Sequence, residues 1–564
     1  MPKVPVASAS RRAERLTLDT ELYRFSRHFQ DRITLGDAAQ GTIALGENGS
    51  GKTSSLRTIA RGFLNAGMGG VVLCVKADEY DAWQELAAET GRTSDLIEFA
   101  PGKEAFNFIN QELAGHAEPP IENLVSLLSE AGGVMKGKSD DDFWMRAAKQ
   151  LLRSIITIVY CARGGITIPD LYTAMANLPQ WSDSTDEAEK QAWLESSPLG
   201  EMIDNAQLPH PDLPASVEYV MKEWTSRDRR TNAGISLNLS EMMDVLRRTP
   251  LVDTLGGKTT VSPNECREGK IIVLNMPVKT MGDVGRISQV IFKLSAQRAF
   301  ERVTTGRPVF LWVDECHYMT SPIDTLFCST ARSARVATVL ITQNLDIWKA
   351  EAGGSQVAEK RIQGLIGVLA TKLLFLNSHA ATNNFAADLI GKEPQERKSS
   401  STQRGRSSGR LSSSSSESRS ETVDYLCPPA EFQKLLSGGN RHGFLCSGIV
   451  FKTGRQWSSG KRFLTAYFDQ KRRLHGHRAV WLWLSALGLV AAGALVGWLS
   501  VAGSLDLPHQ VPRWIWLKPK AREIYIYLAL HGPQLYPLIA AILAGLTLFA
   551  LMRNMGTLRC AREV

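Results

Sequence analysis

Thr42-Ile43-Ala44-Leu45-Gly46-Glu47-Asn48-Gly49-Ser50-Gly51-Lys52-Thr53-Ser54-Ser55-Leu56 decides how this chain is read. A short apolar run, TIAL, gives way to a glycine-rich loop, and SSLRTIARGFLNAG then has helical spacing with a glycine stop at Gly67. The eight residues Gly46, Glu47, Asn48, Gly49, Ser50, Gly51, Lys52 and Thr53 match GxxxxGK[ST]. In that pattern glycines let backbone N–H groups curl around phosphates. Lys52 neutralises the β and γ oxygens and the Thr53 hydroxyl ligates Mg²⁺. Strand, loop and helix in this order predict a P-loop that takes ATP with Mg²⁺.

Such a loop needs an acidic strand end beside it. Val309-Phe310-Leu311-Trp312-Val313-Asp314-Glu315 is a continuous apolar run ending in two carboxylates. Asp314 is expected to hold Mg²⁺ through water, and Glu315 to polarise the attacking water. The neighbouring Cys316 and His317 are too few for a metal site. Ala337-Thr338-Val339-Leu340-Ile341-Thr342-Gln343 is a further strand whose terminal amide is placed to sense a γ-phosphate, or simply to cap the strand. Eleven residues before Gln343 stands Arg332, either a surface arginine or one that reaches a neighbouring subunit's nucleotide.

Seven apolar runs, Ile43–Gly46, Gly70–Val75, Leu96–Ala100, Lys270–Met276, Val309–Glu315, Thr338–Gln343 and Thr371–Asn377, alternate with helical patterns. They imply an α/β fold with a doubly wound, mainly parallel sheet and the phosphate loop at its carboxyl edge. Far more chain separates Lys52 from Asp314 than a few βα units require. The surplus, with stretches such as DDFWMRAAKQLLRSIITIVY, predicts an all-α insertion.

At 564 residues the chain is too long for one core, and 43% hydrophobic with 22% charged residues excludes a wholly disordered or collagen-like chain. The eight scattered cysteines form no ligand cluster and are expected to be reduced. The basic N-terminus lacks an apolar stretch of signal-peptide length. Residues 479–505 are uncharged, as are 524–552, of which about 534–552 would span; each exceeds the ~20 residues that cross a bilayer as helix. Four basic residues precede the first span and three follow the second, against four between them, which favours both termini in the cytoplasm. The net charge of +8 is thereby a topology signal: residues 471–564 carry 11 basic and three acidic groups, which accounts for the excess. Between Lys392 and Ser420, 12 serines and no aromatic residue predict a disordered loop.

The ordered series GENGSGKT, VVLCVKADEYDAWQELAAETG, FNFIN, DDFWMRAAKQLL, GKIIVLNMPV, VFLWVDE, STARSARVATVLITQN and TKLLFLNSHAATNNFAADLIG resembles the type IV secretion coupling proteins. These are TraG/TraD-type members of the HerA/FtsK group of motor ATPases, and the resemblance covers about residues 36–455. It implies a RecA-like P-loop ATPase core with an inserted all-α domain, here followed by a C-terminal two-helix transmembrane hairpin. The organisation expected is an N-terminal segment 1–35, core 36–111, all-α insertion 112–246, core 247–391, disordered Ser/Arg-rich insertion 392–420, end of core 421–470 and membrane region 471–564.

The resemblance assigns Lys52 and Thr53 to Walker A, Asp314 and Glu315 to Walker B, Gln343 to the glutamine motif and Arg332 to a finger acting in trans. It implies a homo-oligomeric ring, a hexamer, at the bacterial inner membrane. That ring would use ATP and Mg²⁺ to move DNA, a relaxase–DNA complex or protein effectors into a type IV secretion channel. A membrane-anchored, ATP-dependent switch that moves no polymer is the alternative. Three departures from the family stand out: the membrane spans follow the motor, the usual DPKG-like stretch reads Cys74-Val75-Lys76-Ala77-Asp78, and the Ser-rich insertion has no expected counterpart.

Overall fold

The computed structural model describes residues 16–114, 118–136, 142–181, 185–407 and 410–470. The transmembrane helices expected at 479–505 and 534–552 lie outside the described residues. Among the described residues no single helix is long and apolar enough to cross a membrane. One bent pair, Phe143–Arg163 with Ile168–Ala176, meets the length and composition only jointly, across a 116° bend. Its apolar side chains Leu151, Ile155, Ile158 and Leu171 are fully buried, as in the core of a helical domain.

Two short strands, β1 (Glu21–Arg24) and β2 (Arg32–Thr34), form an antiparallel ribbon near the N-terminus. The principal sheet begins with β3 (Thr42–Leu45), β4 (Gly69–Leu73) and β5 (Leu96–Phe99). It continues with β6 (Ile271–Leu274), β7 (Val309–Val313), β8 (Val336–Thr342) and β9 (Thr371–Phe375). All seven expected runs are therefore strands, and all seven pair in parallel. A long polar ribbon, β10 (Lys392–Ser407) and β11 (Arg410–Tyr425), follows, and then β12 (Leu445–Lys452) and β13 (Phe463–Asp469). The order across the main sheet is β13-β12-β9-β3-β8-β7-β4-β6-β5, with β12 and β13 antiparallel at one edge.

Strand periodicity sorts the side chains into two cores. Ile43, Leu45, Val71, Leu73, Leu311 and Val313 face one, with the long helix Val278–Arg302 and the helical insertion. Ala44, Val72, Phe310 and Trp312 face the other, with the helix Lys52–Asn65 and the β1–β2 ribbon. A sheet covered on both faces explains why its strands read as continuous apolar runs.

Between β5 and β6 the described regular elements are helical, from Phe108–Leu113 to Leu251–Gly256. This stretch is wider than the expected 112–246 because its two ends are tied together. Phe106 N–H donates to Thr254 O at 2.8 Å and Thr260 N–H to Ala105 O at 2.8 Å, so the chain leaves and rejoins the core at one place. Glu112, buried, binds Arg298 and Arg302 and so fastens the insertion to the long helix.

The disorder expected for 392–420 gives way to the β10–β11 ribbon, paired without interruption of register from Lys392↔Tyr425 to Ser407↔Arg410. Backbone pairing needs no apolar core, and low hydrophobicity therefore did not preclude it. The ribbon's base is held by the Lys392 ammonium over the Tyr425 ring and by Tyr425 Oη donating to Asp388 at 2.9 Å.

Candidate nucleotide site

The phosphate loop leaves β3 at the carboxyl edge of the sheet and enters the helix Lys52–Asn65. Two contacts with neighbouring strand ends fix its start. Gly46 N–H donates to Gln343 O at 3.1 Å, and Glu47 N–H to Leu376 O at 3.0 Å. The Glu47 carboxylate accepts from Ser378 N–H at 2.9 Å and from Ser378 Oγ at 2.6 Å. Gly51 has φ +81°, in the left-handed region, and a Cβ there would lie 2.5 Å from Cys446 Sγ. Only glycine fits that backbone at that approach. No side chain caps the helix start, which leaves its first amides available to an anion.

Lys52 is buried, and its ammonium donates to the loop carbonyls of Gly46 and, at 3.0 Å, of Glu47. Burial holds its pKa below the ordinary lysine value, while Glu315 and Asp314 pull it back up. Thr53 stands exposed in the first turn. The Ser50 hydroxyl is buried without a partner.

Opposite the loop, β7 delivers Asp314 and Glu315, both buried. Glu315 has a left-handed backbone, φ 42°, and its N–H donates to Asp314 Oδ1 at 2.9 Å. This turn carries the Glu315 side chain back to Gln343, whose Nε2 donates to Glu315 Oε1 at 3.0 Å. The second oxygen, Oε2, is buried without a hydrogen bond. His317, kept neutral-leaning by burial, which lowers its pKa, lies 3.6 Å from Oε2 and contacts Thr342 Oγ1 at 2.9 Å.

Two members of the site were missed in the sequence. Asn377, at the end of β9, donates from Nδ2 to Gln343 O at 3.1 Å and so supports the glutamine. Glu79, just after β4, takes Val75 N–H on Oε2 at 2.8 Å and leaves Oε1 buried and unpartnered. Both follow predicted strands at the carboxyl edge; a scan of every strand end for polar residues would have found them. Burial and then the charge of Asp314 push the Glu79 carboxyl up to about 8. Asp314 rises to about 6, through burial and then Glu315.

Those carboxyls set a pH dependence. Folded Glu79 keeps its proton to about 8, whereas an ordinary glutamate releases it near 4.5. The folded state binds more protons over that window, so its stability falls as pH rises through it. Glu79→Gln has no such proton to lose. Its urea midpoint is expected to fall less steeply than the wild type's from about pH 6 to 8. Equal slopes in the two proteins would remove the assignment.

Arg332 is not brought to this cluster. It is exposed, just before β8, whereas Gln343 follows the same strand. The length of β8, about 20 Å at ~3.3 Å per residue, separates them. Alongside burial, its positive charge helps lower the pKa of Lys452, on β12.

The residues present fit a magnesium nucleotide. Ser50 Oγ, within the glycine cradle, and Glu315 Oε2, opposite it, are buried polar atoms without a hydrogen bond, and the cradle's helix end is uncapped. Among the described residues no group of three or more His, Cys, Asp or Glu forms a preassembled metal cage. Mg²⁺ in nucleotide sites keeps waters and takes one or two carboxylates together with phosphates.

Comparison with known proteins bears on the same elements. Residues 308–436 match the family model described as the TraM recognition site of TraD and TraG. No curated protein sequence matches the chain significantly. Among solved structures, the unbound bacterial conjugative coupling protein TrwBdeltaN70 aligns with TM-score 0.53 and 14% identity, over 83% of this chain and 92% of that one. TrwB with the GTP analogue GDPNP gives 0.52 and 14%, and TrwB with ADP and Mg²⁺ gives 0.50 and 15%, each over 83% of this chain and 93% of the other. The α/β architecture is thus that of a coupling protein's RecA-like core. A TraD/TraG segment within a coupling-protein fold bears out the resemblance to the TraG/TraD-type coupling proteins carried by the order of the motifs.

Proposed function

We propose that this chain is an ATP hydrolase that drives DNA or nucleoprotein into a type IV secretion channel. The observation that carries the reading is the Gln343–Glu315 hydrogen bond beside the phosphate loop, because it joins the base candidate to a strand end that can sense the nucleotide. The TraD/TraG match and the coupling-protein fold support it.

In this reading the amides of Gly46–Thr53 hold the triphosphate, and Lys52 exchanges its loop carbonyls for phosphate oxygens. Thr53 and Asp314 would hold Mg²⁺, which when bound offsets charge on the β and γ oxygens. Glu315 Oε2, which makes no hydrogen bond, accepts the proton of the attacking water. Gln343 keeps Glu315 aimed and, through its own backbone contact with Gly46, links hydrolysis to the sheet edge. Arg332 acts on a neighbour's nucleotide in a homo-oligomeric ring, which the family resemblance makes a hexamer. The spans at 479–505 and 534–552 would anchor the motor to the inner membrane with both termini cytoplasmic, beside relaxase–DNA and channel partners.

The deciding experiment measures ATP turnover of the full-length chain with and without single-stranded and duplex DNA, and DNA transfer from a competent donor. DNA is expected to stimulate turnover, and Lys52→Ala to abolish transfer. Transfer that survives Lys52→Ala would end the motor reading. ATP turnover indifferent to DNA would favour a switch that moves no polymer.

A further inference from the structure

The segment Leu436–Ser447 closes on itself beside the phosphate loop. Leu436 N–H donates to Ser447 Oγ at 2.8 Å, Ser447 N–H donates to Leu436 O at 3.0 Å, and a bridge pairs Ser437 with Cys446. The base of this loop presses on the cradle. A Cβ at Gly51 would lie 3.0 Å from Ser437 O, and the Cys446 thiol donates to Ser50 O at 3.2 Å.

Beyond the base the chain turns through Gly438, Gly439 and Gly443, all at positive φ, around a single 3₁₀ turn at Asn440–His442. The turn folds back, with His442 Nδ1 3.4 Å from Ser437 Oγ. Gly51, Ser437 and His442 therefore form a contiguous wall. The imidazole is half-buried, while Asn440 and Arg441 are exposed. At the foot of the wall lies the Ser50 hydroxyl, 1% exposed and without a hydrogen bond.

Lys52, Glu315 and Gln343 define the end of the cradle where a γ-phosphate is cleaved. The nucleoside must leave from the other end, past Gly51, where this wall stands. We propose that the Ser437–Cys446 loop is the nucleoside lip of the site, with the His442 ring as the face on which the base of a nucleoside triphosphate stacks and Arg441 beside it. The proposal rests on the nucleotide reading above. Cys446 is a positioning residue, since it holds the lip against the cradle through the Ser50 carbonyl.

Base–aromatic stacking gives the size of the effect, about tenfold in affinity for one ring removed. The test titrates the full-length chain calorimetrically with magnesium ATP and with magnesium tripolyphosphate, which has the three phosphates and no base. His442→Ala is expected to weaken ATP about tenfold and to leave tripolyphosphate unchanged, the latter also showing that the variant is folded. His442→Phe, which keeps a ring, should restore ATP affinity. The lip is overturned if His442→Ala weakens both ligands equally or neither, or if phenylalanine does not restore binding. A wild-type chain that binds neither ligand would instead remove the nucleotide reading itself.

Discussion

Arg332→Ala is expected to lower ATP turnover about 10³-fold or more, the range attributed to arginine fingers, and mixing it with Lys52→Ala should recover activity. Neither variant has a complete site when pure. In a mixed ring, an Arg332→Ala subunit keeps an intact phosphate loop, and a Lys52→Ala neighbour supplies the arginine. The geometry demands this arrangement if Arg332 acts at all, because β8 holds it at the opposite edge from its own Gln343. Turnover assays on the pure proteins and on equimolar mixtures after co-assembly make the check. An Arg332→Ala protein with normal turnover, or a mixture no better than its components, would remove the finger.

Glu315→Gln should cut turnover by about 10²–10⁴, the usual range for a general base, with ATP binding retained. Glutamine preserves the side chain's shape and can still meet Gln343 Nε2 through its carbonyl oxygen. What it lacks is a carboxylate at the Oε2 position, the buried atom without a hydrogen bond. Single-turnover hydrolysis and ATP titration separate the two steps. Loss of binding in parallel with hydrolysis would make Glu315 a structural member of the site.

Much of this was legible before folding because the informative residues are local in the chain. TIAL followed by GENGSGKT states strand, loop and helix within fifteen residues, and the seven parallel strands announce themselves as apolar runs because both of their faces are buried. The antiparallel strands β12 and β13 were less visible. In the edge strand β13, LTAYFD alternates buried and exposed residues after Phe463, and in β12 the polar pair Ser447-Gly448 interrupts the apolar run. The paired Ser-rich ribbon was also missed, since backbone hydrogen bonds leave no compositional mark.

Sequence by itself determined the identity of the phosphate loop, the acidic strand end and the strand ending in Gln343, each a short-range pattern dictated by backbone geometry and ligand chemistry. Tertiary structure alone decided which of them meet. Because β8 lies between β3 and β7, Gln343 touches both Gly46 and Glu315. Strand order likewise brings Glu79 and Asn377 to the same edge and sends Arg332 to the other. The physical reason is that a strand's register and neighbours come from packing between segments hundreds of residues apart, which no local spacing records.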